Sequence, residues 1–407
     1  MKILYDFLTL HSKNGAAEYT RRVFFALLNT IQREEREVVL YCLYDSVSKP
    51  QYEELLPGTL QDQHVQFVDI NDGIEKLNNL ECDVFFFGCA QNGSWHPELQ
   101  HLNCKSIIVF HDCVWEEVYN NDLSIYTTLN SEAIFRHRKT EPIGKRIYLD
   151  LRSPTIRFCR WLLHARRYGV LEKGYQMVQP SLHLFRKRED NTIITVSEYS
   201  KQTLMYNFDI PDSQIQVKFS PGRVYKDAVK VCENEKLRVL INQRKKYYLL
   251  VSANRILKNA KKALMAFHHY VRFAPNAYIV TVGYGDDLFE NHIDLSFLSD
   301  SDLQIAYANC YALIYPSYFE GFGYPPLEAM KYGKPILSSN VCSMPEVLGD
   351  APIYFSPLYE SAIFGALCHL TEDNYLYYVD KSKKQFSEVY EKQEKDLKDL
   401  IQLIMSY

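Results

Sequence analysis

Seven residues separate Glu320 from Glu328 in "YPSYFEGFGYPPLEAMKYGKPILSS" (315–339), and that stretch, "GFGYPPL", is made of glycine, proline and apolar residues. Ionised carboxylates accept hydrogen bonds, so two acids around a glycine loop suit a ligand rich in hydroxyl groups. Gly321 and Gly323 let the backbone approach such a ligand with no Cβ atoms in the way. "YALIYPS" reads as a strand, Tyr318 to Pro325 as the loop leaving its carboxyl end, and "PLEAMKYG" as a helix. Pro326 suits a first helical turn, where a missing N–H costs nothing, and Gly333 suits the stop. This register places Glu320 at the loop entrance and Glu328 in the first helical turn. One carboxylate can take sugar hydroxyls and the other a ribose diol. The amides at the helix start form a candidate anion site.

An anion beside two carboxylates needs cations. "VSANRILKNAKKALMAF" supplies Arg255 and Lys258 between a strand and a helix. A cation in a first helical turn opposes the macrodipole, which makes sense if a phosphate sits there to offset it. Two solvated loop residues would read the same way, because exposed Lys and Arg are common.

These residues need a scaffold, and the chain supplies alternating strand-like and helix-like segments. "KILYDFL", an amphipathic stretch from Ala16 to Arg33, "EVVLYCL", "DVFFFG", "SIIVFHD" and "TIITVS" form one series, closing with "IQVKFSPG". After a polar stretch near 220–245 come "YYLLVSA", a helix over Ala260–Phe273, "AYIVTVG", "IDLSFL", a helix near 301–310, "YALIYPS", "KPILSS" and "APIYFS". Apolar runs with no polar face are strands buried on both sides, as in parallel sheets covered by helices. Two such series predict an α/β protein of two doubly wound Rossmann-like domains facing a central cleft, with ligands beyond the carboxyl ends of the strands. The expected boundaries are 1–220, 221–385 and a C-terminal helix, 386–407, that packs back on the first domain.

Composition agrees with a two-domain globular protein. The chain has 407 residues, 47% of them hydrophobic and 24% charged, with a formal charge of −4. That balance excludes wholesale disorder and gives no push towards nucleic acid as a partner. The start, "MKILYDFLTLHSKNG", reads as a buried strand and not a signal peptide. The 10 cysteines are scattered with no C-x-x-C pair, as expected of reduced thiols in a cytoplasmic protein.

"EGFGYPPLEAM" followed by "YGKPI" resembles the E-x7-E signature of the retaining glycosyltransferases of family 4 (group 1), which have the GT-B fold. "VSANRILKN" is similar to that family's donor-phosphate loop, and "VTVGYGDD" and "SSNVCSMPEVLGDAPIYFSP" resemble the segments around it. The second half is matched almost end to end, the first only in patches such as "ITVSEYSKQTL" and "VFHD". The resemblance implies that Glu320 binds donor-sugar hydroxyls, with Gly321, Phe322 and Gly323 close by, and that Glu328 takes the ribose hydroxyls. Tyr324 and Leu327 complete its donor-binding set. Arg255 and Lys258 would hold the diphosphate in place of a metal, so no metal or other cofactor is expected. Gly15 would sit near the phosphates and His111 near the donor sugar and acceptor. Two departures stand out: many members carry their arginine where this chain has Ala253, and the glycine usually preceding Gly15 is Asn14.

Residues 133–188 are strongly basic, with Phe158, Trp161, Leu162 and Leu163 interleaved among Arg157, Arg160, Arg166 and Arg167. That pattern suits an anionic membrane surface or a lipid-linked acceptor, and equally a helix with its basic face in water. The expected function is transfer of a sugar from a nucleotide diphosphate sugar to a saccharide or lipid-linked saccharide acceptor in cell-surface polysaccharide or lipopolysaccharide assembly. A nucleotide-sugar epimerase of the same twin-domain fold, or a non-catalytic nucleotide-sugar-binding subunit, are the alternatives. The expected location is the cytoplasm, peripheral on the inner membrane face.

Overall fold

A computed structural model of the chain describes residues 1–11, 14–46, 62–90, 96–114, 117, 191–223 and 232–407. The basic 133–188 segment, with the membrane or acceptor role expected of it, lies outside the described residues. The chain divides into two compact units. Of the described residues, the first holds those within Met1–Cys113, 191–223 and Val389–Tyr407, and the second holds Val114, Glu117 and 232–388.

The first unit runs β1 (Lys2–Asp6), α1 (Gly15–Glu34), β2 (Val39–Tyr44), β3 (Val65–Asp69), α2 (Ile74–Asn78), β4 (Val84–Phe87), β5 (Lys105–Phe110), β6 (Asn191–Thr195), α3 (Glu198–Phe208) and β7 (Ile215–Val217). Its strands pair in parallel in the order β3-β2-β1-β4-β5-β6-β7. Strands β1, β4 and β5 have almost wholly buried side chains, which accounts for their unbroken apolar runs. β3, "VQFVD", lies at the edge and buries only its first residue fully, so its polar alternation gave no strand signal. Helix α1 starts where Asn14 Oδ1 accepts the Ala17 N–H at 3.0 Å. It lays Val23, Phe24, Leu27, Leu28 and Ile31, spaced at three and four residues, on the core.

The second unit runs α4 (Glu235–Asn242), β8 (Lys246–Leu250), α5 (Ala260–Tyr270), β9 (Ala277–Thr281), β10 (His292–Asp294), α6 (Asp300–Asn309), β11 (Ala312–Tyr315), α7 (Tyr324–Met330), β12 (Ile336–Ser339), α8 (Met344–Leu348), β13 (Ile353–Phe355) and α9 (Glu360–His369). Its strands are parallel in the order β10-β9-β8-β11-β12-β13. Its core gathers Tyr248, Leu250, Leu264, Phe267, Ile314 and Leu337 from the sheet and α5.

Helix α10 (Glu372–Ile404) begins in the second unit and ends in the first. Its last turns bury Val389, Leu397, Leu400, Ile401 and Ile404. Asp396 accepts the Phe219 N–H at 2.8 Å, and Gln393 Nε2 donates to the Ser220 carbonyl at 2.6 Å. These bonds satisfy the backbone of the segment leaving β7, which has no further strand to pair with.

Candidate active site

Both sheets reverse their strand order about one pair of strands: β1 and β4 in the first unit, β8 and β11 in the second. At such a point the loops leaving adjacent strands diverge and open a crevice. The chemistry-bearing residues of each unit collect there.

In the second unit the loops after β8 and β11 are stitched together. The Tyr318 N–H donates to the Leu257 carbonyl at 2.9 Å. Asn259, fully buried with φ +52°, donates from Nδ2 to the Pro316 carbonyl at 3.1 Å and to the Pro357 carbonyl at 2.9 Å. Lys258 lies between these bonds, in a single 3-10 turn ahead of α5. Its ammonium donates to the Tyr315 hydroxyl at 2.7 Å and to Glu320 Oε1. Lys258 and Glu320 side chains are only 11% and 13% exposed. The cation is therefore balanced within the protein by Glu320, where the sequence argument sought a phosphate. Burial first, then the charge of Glu320, hold the Tyr315 hydroxyl protonated, well above the ordinary phenol range. Ser343 Oγ donates to the Glu320 carbonyl at 3.0 Å and so fixes the loop from the α8 side.

Gly323 takes φ +90° and precedes α7. A Cβ there would lie 2.4 Å from Met344 Cε, so the position needs glycine for conformation and for space. Two expectations change at α7. The helix begins at Tyr324, so Glu328 stands in its second turn, not its first, and is buried. Pro325 and Pro326 also fall within the first turn and have no N–H, which removes two of the free amides that an anion site there would use. Phe322 and Leu327 are buried, the Phe322 ring lying 5.6 Å from that of Tyr324. Gly321 and Tyr324 are half-buried.

Arg255 is exposed; its backbone N–H donates to Ser252, which has φ +55°. The structure does not join its side chain to the Lys258–Glu320 pair. Ala253, by contrast, is fully buried. The loop after β9 is anchored by Asp294, which accepts from Thr281 Oγ1 at 2.7 Å and from the N–H groups of Tyr284 at 2.8 Å, Gly285 at 3.1 Å and Ser296 at 3.0 Å. Sequence reasoning missed Tyr315, Asn259 and Asp294. The acid among the apolar residues of β10 and the Asn in αL geometry gave the only signals.

In the first unit Gly15 is exposed and opens α1. His111 follows β5, its Nε2 lying 2.8 Å from the Gly88 carbonyl and its ring edge-on to Tyr19 at 5.0 Å. Burial lowers its pKa to about 4, so the ring is neutral at physiological pH. Among the described residues no group of three or more His, Cys, Asp or Glu is arranged to hold a metal ion. No described helix is long and apolar enough to cross a membrane.

Two parallel, doubly wound sheets of this kind are the architecture of the GT-B class of α/β folds. The structure of HepE from Anabaena in complex with UDP and glucose superposes with a TM-score of 0.62 at 13% identity, covering 100% of both chains. Residues 233–353 match the family model for glycosyl transferases group 1. Among curated proteins, O-antigen chain mannosyltransferase B of Escherichia coli is 29% identical over 200 residues, 45% of this chain and 52% of that one. The serotype-specific mannosyltransferase WbdA of Escherichia coli is 49% identical over 61 residues, 15% of this chain and 8% of that one. The matched region thus spans about half the length of the first relative and a small part of the second.

Proposed function

We propose that the protein is a glycosyltransferase that moves a hexosyl group, mannosyl first among the candidates, from a nucleotide diphosphate sugar to a saccharide hydroxyl in O-antigen or lipopolysaccharide-type assembly. The observation that carries this reading is the Lys258–Glu320 pair, held beside Tyr315 at the β8/β11 crevice of a group 1 domain. The names of the relatives favour mannose and O-antigen chains. On donor binding, Lys258 exchanges Glu320 for the diphosphate, and the freed carboxylate takes sugar hydroxyls. Glu328 binds the ribose diol. Arg255 swings in from its exposed loop to share the charge of the leaving diphosphate, with no metal ion required. The acceptor oxygen attacks from the face the diphosphate leaves, and a departing phosphate oxygen takes its proton. The anomeric configuration is retained, and no protein base is needed. The 133–188 segment attaches the enzyme to anionic lipid or to its lipid-linked acceptor.

A thermal-shift panel of GDP-mannose and the UDP-, ADP- and dTDP-hexoses tests the donor. A ligand present at a hundred times its Kd stabilises the fold by about 2.7 kcal/mol. GDP-mannose is expected to give the largest shift, and NMR of the product should show retention. A panel with no shift, or undiminished shift and turnover in Lys258→Ala, would overturn the assignment.

A further inference from the structure

Asp6 is a buried carboxylate at the end of β1 that the proposed reaction does not use. It is fully buried, next to the buried Ile3, Leu4 and Tyr5 of the same strand. A charge in such a place needs hydrogen bonds: Asp6 Oδ1 accepts the Thr9 N–H at 3.1 Å, Oδ2 accepts the Thr9 hydroxyl, and Oδ2 accepts the Gly88 N–H at 3.1 Å. The last of these crosses from β1 to the end of β4, the pair at which strand order reverses.

Gly88 is gripped on its other sides as well. A Cβ there would lie 2.1 Å from Thr20 Oγ1 on α1, so the helix packs directly against the glycine backbone. Its carbonyl meets His111 Nε2 at 2.8 Å. A carbonyl only accepts, so Nε2 carries the proton and, in the neutral ring, Nδ1 has the bare lone pair. Nδ1 has no partner among the described residues. The His111 backbone is held in turn by Ser200 Oγ, which donates to its carbonyl at 3.3 Å from the first turn of α3.

We propose that Asp6 is a positioning residue: by fixing the Gly88 backbone, it holds His111 in the Nε2–H tautomer with Nδ1 presented as an acceptor for a substrate hydroxyl. The tautomer is a property of the first unit alone. The role of Nδ1 rests on the glycosyltransferase reading. A carboxylate serves because it can accept from Thr9 and Gly88 together, which an amide nitrogen cannot do. Burial raises its pKa to about 6, the hydrogen bonds from Thr9 and Gly88 offsetting only part of that rise, so the carboxyl is mostly ionised at pH 7.5.

Long-range 15N–1H correlation spectra of the full chain with labelled histidine, assigned by loss of signal in His111→Gln, read the tautomer directly. At pH 7.5 the wild type should show a single neutral Nε2–H pattern for His111. In Asp6→Asn, and more mildly in Thr9→Val, that pattern should shift or mix with the Nδ1–H form. A wild-type Nδ1–H pattern overturns the proposal, as does a His111 spectrum that both substitutions leave unchanged. Once a donor is known, Asp6→Asn should lower kcat on the order of a hundredfold through misplacement of His111, with donor KM nearly unchanged. A rise in donor KM at wild-type kcat would count against positioning. Because the tautomer is read without substrate, failure of the glycosyltransferase reading leaves that part of the test intact.

Discussion

Lys258 and Glu320 neutralise one another at the carboxyl end of the second sheet, the ammonium donating to the carboxylate and to the Tyr315 hydroxyl. Lys258 thus has a counter-ion within the protein. Removing one partner of a buried pair leaves the other charge uncompensated, a loss of about 3 kcal/mol. Lys258→Met should therefore melt well below wild type, and Lys258→Met/Glu320→Gln should recover most of that loss. Both should turn over on the order of a hundredfold to a thousandfold more slowly. Calorimetry of the three proteins with a rate assay separates the structural cost from the chemical one. A single variant as stable as wild type would show that the pair does not form.

Tyr315 offers a milder probe of the same ammonium. Tyr315→Phe keeps the buried ring and deletes one acceptor, which costs about 1 kcal/mol of stability. With its aim loosened, Lys258 should bind the donor almost as well but stabilise the leaving group less, so kcat should fall while donor KM holds. A change confined to KM would show that the hydroxyl acts on binding alone.

The sheet strands and the acidic loop were legible because each advertises itself locally. "DVFFFG" is apolar at every position from Val84 to Phe87, as expected of a strand inside the sheet, between β1 and β5, with buried side chains on both faces. Glu320, Gly323 and Glu328 sit within nine residues, where spacing can be counted. Asp6 gave no such signal: its partner Gly88 lies 82 residues away, and inside "KILYDFL" an acid reads as the polar end of a strand. Glu328 was placed a turn too early because Pro326 looked like the start of α7, whereas the helix begins two residues before it. Tyr315 sits in a strand and buries its ring, and only its hydroxyl, set against a lysine 57 residues upstream, meets the Lys258–Glu320 pair, a contact that no local spacing reveals.

Gly323 should resist substitution for two separable reasons. Gly323→Ala places a side chain at φ +90° and against the Met344 methyl. Backbone strain of this kind costs about 1–3 kcal/mol. The clash is with the flexible end of a methionine, so Gly323→Ala/Met344→Leu should recover less than half of the loss. Full recovery in the double variant, read by thermal melts, would place the requirement in packing and not in the backbone.

Acid should weaken the second unit through His292. The ring donates from Nε2 to Thr281 Oγ1 at 2.8 Å, the proton placed there because the threonine hydroxyl is already donating to Asp294 at 2.7 Å. Nδ1 accepts the Leu288 N–H at 3.0 Å, so a second ring proton would face another donor. Burial, opposed by Asp287 and Asp294 and aided by Lys236, lowers the His292 pKa to about 4. The unfolded chain takes up this proton near about pH 6.5 and the folded one only near 4, so the contribution is whole above the first value and is lost as pH falls towards the second. Asp6 acts in the opposite sense. Its folded pKa is about 6, above the ordinary 3.8, so its contribution is whole below 3.8 and is lost as pH rises through about 6. The two trends partly cancel in the wild-type profile, and the informative quantity is the difference between wild type and His292→Gln. That difference should be largest above pH 6.5 and shrink steadily towards pH 4.5, because only the wild type carries the titrating ring. A difference in melting temperature that does not change with pH would mean that His292 titrates alike in folded and unfolded chains, contrary to its burial.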